Sequence, residues 1–373
     1  MEKRRREEGG WMHADTLTRD EVRSAIARRG VRRPPLMIRM WIGGDCYEAY
    51  GDRLRHFVDG IPEDVLTVGY RGPAAWERPE DDPEYRWAIR DRPAEDGRKG
   101  IDSRRFLADW ADLDEYIEKM PSPDHPAYFA GAAKVRAAHP DRFVVGVGFF
   151  CFYERLWTIR GMQDILEDFL LEPERAQRLT NAVKDFHLKV IRGFAEAGVD
   201  AFYTSDDMGT QTGLFFSPQV FRTFIKPGYR ALIEEAHRHG LQFWLHTCGD
   251  VSEIVEDFIE LGLDVLHPIQ PHAMDATATA ARFGGRIGFM PGIDVQHLLP
   301  HGSAADVEAG TRRLIETFSR PGGGMVVSLS NAIHTDVSCE NIEAFMRTAH
   351  RYGEEFYRRW AGAVGEEERD DAA

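Results

Sequence analysis

The stretch LHTCGD, residues 245–250, carries an imidazole and a thiol two positions apart. On a strand end, residues i and i+2 point to the same face, so His246 and Cys248 share one. An imidazole and a thiolate so placed suit a borderline-soft ion such as zinc. Two ligands are not a site. By residue type, His267, His334 and Asp206 are the candidates for a third donor, with water or substrate in a fourth place. The competing reading is a satisfied histidine beside a buried cysteine.

Asp206 and Asp207 stand together in YTSDDMG. Neighbours on a strand face opposite ways, so one of the two faces a pocket and the other does not. The pocket-facing carboxylate would serve as general base, hold a cationic intermediate or orient a metal-bound histidine. The plain alternative is that one of them caps the following loop. Tyr153 and Glu154, His267 with Gln270, Asp294 in PGID, and Asn331 are candidates for holding a polar substrate, and His334 is a candidate for proton transfer. Gly322-Gly323-Gly324 precedes a strand rather than linking a strand to a helix. It therefore reads as a turn and not as a phosphate-binding loop.

These residues need elements to hold them. Eight short runs rich in β-branched and aromatic residues read as strands: Leu36–Ile42, Val65–Tyr70, Phe143–Phe149, Ala201–Ser205, Gln242–His246, Val265–Pro268, Arg286–Met290 and Met325–Leu329. Several lack internal polar residues, as expected of parallel strands covered on both faces. Helical patterns separate most of them. Pro173–Ala197 ends at Gly198, and Ser217-Pro218 opens a helix that closes at Gly240, with a kink or break expected at Pro227. Val251–Leu261 and Asp306–Phe318 are amphipathic. Strands alternating with helices predict an α/β fold, a (β/α)8 TIM barrel, with an open doubly wound sheet as the alternative. In a barrel, the residues at the C-terminal strand ends line the active site, and the candidates above all fall there.

The chain has 373 residues, 43% hydrophobic and 29% charged, which is ordinary for a globular protein. A formal charge of −15 argues against nucleic acid or an anionic membrane surface as a general partner. The four cysteines lie far apart, which reads as free or metal-binding thiols in a reducing cytoplasm. Residues 1–14 and 365–373 are charged without apolar periodicity and are expected to be disordered. Between them, 15–364 would form a single barrel, with the polar stretch 71–105 as an insertion or lid.

The segment LHTCGDVSEIVEDFIELGLDVLHPIQ, the later GFMPGIDVQHLLP and the near-terminal GGGMVVSLSNAIHTDVSCENIEAF resemble the uroporphyrinogen decarboxylase superfamily. There a strand ends in H-x-C-G, a later one in G-[GN]-[IV]-D, and a glycine-rich strand leads into a motif closing with E-N. The resemblance covers about residues 30–360 and implies a (β/α)8 barrel and, as in the family, a homodimer.

It also implies two chemistries. Haem-pathway members decarboxylate a tetrapyrrole without a cofactor. Cobalamin- and coenzyme M-type members transfer methyl groups with zinc held by the His and Cys of H-x-C and a later cysteine. The decarboxylases grip carboxylates through an R-Q-A-G-R segment, where this chain reads MWIGGDCYEAY without an arginine pair. The methyltransferases' late cysteine falls at Asn331, eight residues from Cys339. The decarboxylases carry a functional histidine at that same place, so its role is lost here or moved to His334.

The leading expectation is an enzyme of zinc-thiolate-dependent methyl transfer or demethylation on a small substrate. His246 and Cys248 would be ligands, Asp206 or Asp207 the acid–base or orienting group, and a corrinoid protein or a methoxylated compound the methyl donor. The alternatives are cofactor-free decarboxylation and a non-catalytic barrel that binds a small molecule.

Overall fold

The computed structural model describes residues 16–73, 85–87 and 105–370, with side chains as far as 360. The expected N-terminal disordered segment and most of the 71–105 insertion lie outside the described residues. The last helix, Cys339–Asp370, carries its backbone into the segment expected as an acidic tail.

By packing, the chain forms two compact units. The first comprises Met1–Leu66, Asp141–Phe143 and Asp264–Ala373. The second comprises Thr67–Pro140 and Val144–Leu263. Six of the eight expected segments form strands: β1 (Val65–Gly69), β2 (Phe143–Val147), β3 (Ala201–Ser205), β4 (Gln242–His246), β5 (Val265–His267) and β6 (Gly288–Phe289). The other two, near 36–42 and 325–329, pair only through single parallel bridges. In the first of these, a 3-10 turn at Arg39–Trp41 interrupts the run, so a continuous ladder cannot form. Each of the eight segments is followed by a helix, the repeat of the α/β (β/α)8 barrel class.

Within the second unit, β2, β3 and β4 pair in parallel, with Val145 opposite Ala201, Ala201 opposite Gln242 and Ser205 opposite His246. Every residue of β3 is buried, as its near-continuous apolar run requires. The helix Pro173–Glu196 ends as read, at Gly198 with φ +79°. Ser217 caps its helix by accepting from the Val220 amide. Pro227, which has no N–H to offer, is preceded by a π-helical turn at Phe221–Ile225. The interruption expected at the proline is thus a widened turn that lets the helix continue to Arg238.

Within the first unit, β5 pairs with β6, and Phe289 and Ile293 bridge to Met325 and Leu329. Val327 and Ile333 in turn bridge to Leu36 and Ile42. The anchor of this unit is a fully buried ion pair. Asp64 receives two bonds from Arg33, at 2.5 and 2.8 Å, and also accepts the amides of Leu17 (2.7 Å) and Leu36 (2.8 Å). One carboxylate thereby joins the N-terminal segment to the first expected strand. Asp64→Ala removes the buried carboxylate that offsets the Arg33 charge, so it should lower stability by about 3–5 kcal/mol. The measurement is the urea midpoint at unchanged slope; an unmoved midpoint would mean that the pair is not what holds the segment.

Candidate functional site

β3 and β4 end level with each other because Ser205 lies opposite His246. Beyond those ends the two loops stay zipped together. The Asp206 amide donates to the His246 carbonyl (2.8 Å), the Gly209 amide to the Cys248 carbonyl (3.1 Å) and the Asp250 amide to the Thr210 carbonyl (2.7 Å). The loops cross at two glycines. A Cβ on Gly249, whose φ is +85°, would lie 2.1 Å from the carbonyl carbon of Gly209, so only glycine permits this approach.

The crossing gathers three donor atoms. Cys248 Sγ lies 3.2 Å from His246 Nε2, and that nitrogen lies 3.6 Å from Asp207 Oδ1. Asp207, His246 and Cys248 each offer a ligand atom within 4.8 Å of the others. Donors bonded at 2.0–2.3 Å around a tetrahedral zinc stand roughly 3.3–3.7 Å apart, so this spacing suits the ion. Asp207 Oδ1 also accepts the Cys248 amide at 2.8 Å, which fixes the carboxylate's direction. Burial lowers the pKa of His246 despite the opposing pull of Asp207, which favours the neutral ring that metal ligation needs.

Asp206 faces the other way. It is fully buried, accepts the Glu154 amide and the Tyr229 hydroxyl, each at 2.8 Å, and so anchors the start of the helix Tyr153–Arg160. Burial raises its pKa to about 6, against the lowering effect of those bonds and of the Tyr153 and Phe152 amides. The alternation expected from the sequence therefore separates the two aspartates. Asp206 is turned away from His246 and Cys248 as a third donor, and the neighbouring Asp207 is the carboxylate that meets them. Glu154 is buried behind this loop and accepts a 2.5 Å bond from Ser205 Oγ. Burial first, then the Asp207 and Asp206 carboxylates, push its pKa well above the usual range. Tyr153 is buried too, packed against Trp157, Phe215 and Phe216. Its hydroxyl and the Trp157 indole N–H find no hydrogen-bond partner among the described residues.

The remaining candidates belong to the first unit. His267 is fully buried, with Nε2 2.8 Å from the Leu329 carbonyl and its ring 5.1 Å from Trp41. Gln270 opens a turn, its carbonyl accepting the Met274 amide. Asp294 accepts the Gln296 and His297 amides and meets His272 at 3.0 Å. Asn331 accepts the Ala332 amide, and exposed His334 pairs with Asp45 at 3.1 Å. Sequence reasoning passed over Ser205, Tyr229, His272 and His297, whose types are too common in loops and helices to stand out alone.

The family description "Uroporphyrinogen decarboxylase (URO-D)" matches residues 109–352. The chain belongs to this family. Among solved structures, a methyltransferase from Methanosarcina mazei shares 16% identity at a TM-score of 0.65, covering 91% of this chain and 99% of that one. The likeness bears out the (β/α)8 fold. A B12-independent methionine synthase from Shewanella sp. W3-18-1 shares 14% identity at a TM-score of 0.39, covering 63% of this URO-D family chain and 68% of its own. No curated protein matches the sequence. Among the described residues, no helix of this URO-D family member is long and apolar enough to cross a membrane.

Beneath the helix that Asp206 anchors lies His187, buried, with Nε2 3.2 Å from the Cys151 carbonyl and its pKa lowered by burial to about 3. An unfolded histidine titrates near 6.5. The folded value is depressed, so the stability that neutral His187 contributes is full above pH 6.5 and is lost as pH falls toward 3. The limiting slope is about 1.4 kcal/mol per pH unit. His187→Gln should flatten the fall in urea stability between pH 6 and 4 relative to the unaltered protein. Parallel curves would assign the acid lability elsewhere.

Proposed function

We propose that this chain is an enzyme that transfers a methyl group between a small substrate and a thiol, with zinc held by Asp207, His246 and Cys248. The observation that carries the reading is the convergence of those three donors at the ends of β3 and β4. Bound there, zinc would keep a substrate thiol ionised at neutral pH. The chain's own residues do the rest. The Cys248 amide aims the Asp207 carboxylate, and Thr247 Oγ1 accepts the Met208 amide at 3.2 Å, which pins the two loops together. The hydroxyl of Tyr153 and the indole N–H of Trp157, buried beside Phe215 and Phe216, are two donors that suit a small substrate combining an apolar body with a polar edge. The donor is a corrinoid-bound methyl group or a methoxylated compound. That the similar Methanosarcina protein is called a methyltransferase agrees with this reading.

One observation favours a second reading, cofactor-free decarboxylation. Loss of CO2 leaves a carbanion that must take a proton, and Glu154 is a buried carboxyl whose pKa burial and the neighbouring carboxylates push well above the usual range, which favours its protonated form.

Cobalt substitution separates the two. A thiolate ligand gives cobalt an intense sulfur-to-metal absorption that nitrogen and oxygen donors lack. The reduced, untagged chain should show that band. Cys248→Ala and His246→Ala should lose it, and Asp207→Asn should weaken cobalt binding by at least the roughly 10–100-fold that loss of a group merely supporting a metal site costs. The metal-loaded protein should methylate a small thiol from methylcobalamin or a methoxylated aromatic compound, and the Cys248 variant should not. If no sulfur band forms under reducing conditions, the zinc-thiol reading is sunk, and small carboxylates become the compounds to assay.

A further inference from the structure

We propose that His272, Asp294 and His297 form a second binding site for a divalent transition-metal ion, distinct from the Asp207–His246–Cys248 cluster. The site lies wholly within the first unit. His272 sits in the turn that follows β5, and Asp294 and His297 sit in the turn that follows β6. Each residue offers one ligand atom within 4.8 Å of the other two.

The two imidazoles converge on a single carboxylate oxygen. His272 Nε2 lies 3.0 Å from Asp294 Oδ2, and His297 Nδ1 lies 3.6 Å from the same atom. Nitrogen and oxygen donors bound at 2.0–2.2 Å to one ion stand about 3.0–3.5 Å apart, so both separations are close to what one ion would impose. The rings meet edge to face with centroids 4.5 Å apart. One cation held between the two rings and the carboxylate would be a partner to all three groups at once.

The carboxylate is aimed in advance. Asp294 Oδ1 takes the amides of Gln296 (2.8 Å) and His297 (3.0 Å), and Oδ2, which accepts the Leu298 amide at 3.3 Å, meets the histidines. This is the support that ligating carboxylates ordinarily receive. His272 holds φ at +66°, a conformation uncommon for a non-glycine residue, and its ring meets Asp294 across the two turns. The histidines are 57% and 64% exposed while the carboxylate is 13% exposed, so an ion has open access to a fixed anionic base.

Two imidazoles and one carboxylate select zinc, cobalt, nickel or copper over magnesium or calcium, which require more oxygens. Three protein donors leave a coordination place for water or an anionic ligand. A bound ion would also clamp the two turns to each other.

The inference does not rest on the methyl-transfer reading, and its test is separable from that reading. The probe is zinc alone, by equilibrium dialysis against the full-length His246→Ala/Cys248→Ala protein, which lacks the thiol site. It should retain one equivalent. Adding His272→Gln or His297→Gln should weaken that binding by at least the roughly tenfold that loss of a supporting group costs a metal site. Asp294 is left intact because it also holds the turn, and circular dichroism checks the fold of each variant. Zinc should raise the Tm of the double-alanine protein but not that of its histidine variants. In the otherwise unaltered chain, the same histidine changes should remove one equivalent whether the total begins at two or at one. If the double-alanine protein retains no zinc, or retains it unaffected by either histidine change, the three residues form only a surface ion-pair cluster and the proposal is overturned.

Discussion

The parallel register of β3 against β4 places Ser205 opposite His246, and the candidate site follows from that pairing together with the close passage of Gly209 over Gly249. The register brings both strand ends to one level. The backbone bond from Asp206 to the His246 carbonyl then continues the ladder by one step, so Asp207 comes out beside Cys248. A side chain at either glycine would push the loops apart: the nearest atoms to a Cβ would be 2.1 Å away at Gly249 and 2.7 Å at Gly209, and all of them are backbone. Backbone cannot swing aside as a flexible side chain can. The placement of sulfur, nitrogen and oxygen within reach of one another thus depends on main-chain geometry that two residues without side chains allow.

The same strand end divides labour between adjacent carboxylates. Burying an ion costs several kcal/mol after relaxation, and each charge-assisted hydrogen bond returns about 1.5–3 kcal/mol. Asp206 receives the Glu154 amide and the Tyr229 hydroxyl, with help from two further amides, yet its pKa still rises to about 6. The bonds therefore come close to offsetting burial without fully doing so. The result is a rigid joint between β3 and the helix Tyr153–Arg160, and it leaves Asp207, the next residue along, facing the thiol. Glu154 completes the arrangement: burial and the two nearby carboxylates outweigh the Ser205 hydrogen bond and the Arg155 charge, and its pKa is pushed well above the usual range.

Much of this was legible in the sequence because it depends on short-range periodicity. The period of two placed His246 and Cys248 on one face and set Asp206 and Asp207 on opposite faces. The eight apolar runs marked the eight β/α repeats. What periodicity does not encode is which loop crosses which. Asp207 could not be named as the third donor from spacing alone, because it reaches Cys248 across 41 residues through a loop crossing. The glycines of SDDMG and HTCGD were the available signal, and it becomes specific only when the two are known to touch. His272 escaped notice for a related reason. Its partner Asp294 is 22 residues away on the next strand's turn, and spacing alone does not show that the two turns meet. Asp294 was visible as a polar strand-end residue, but its role in holding a turn and facing two imidazoles was not.

The identity of the third donor has a chemical consequence. A His-Cys-Cys set and a His-Cys-Asp set carry the same two negative charges, but the second replaces a soft sulfur with a hard oxygen. Oxygen donates less electron density than sulfur, so an ion in the proposed site would keep more of its positive charge and acidify a bound thiol more strongly. The substitution also moves the donor from the segment after the last strand, where Asn331 stands, to the loop directly after β3. The three proposed ligands then come from two adjacent, mutually hydrogen-bonded loops of one compact unit. The ligand set is accordingly held by local backbone bonds between those two loops.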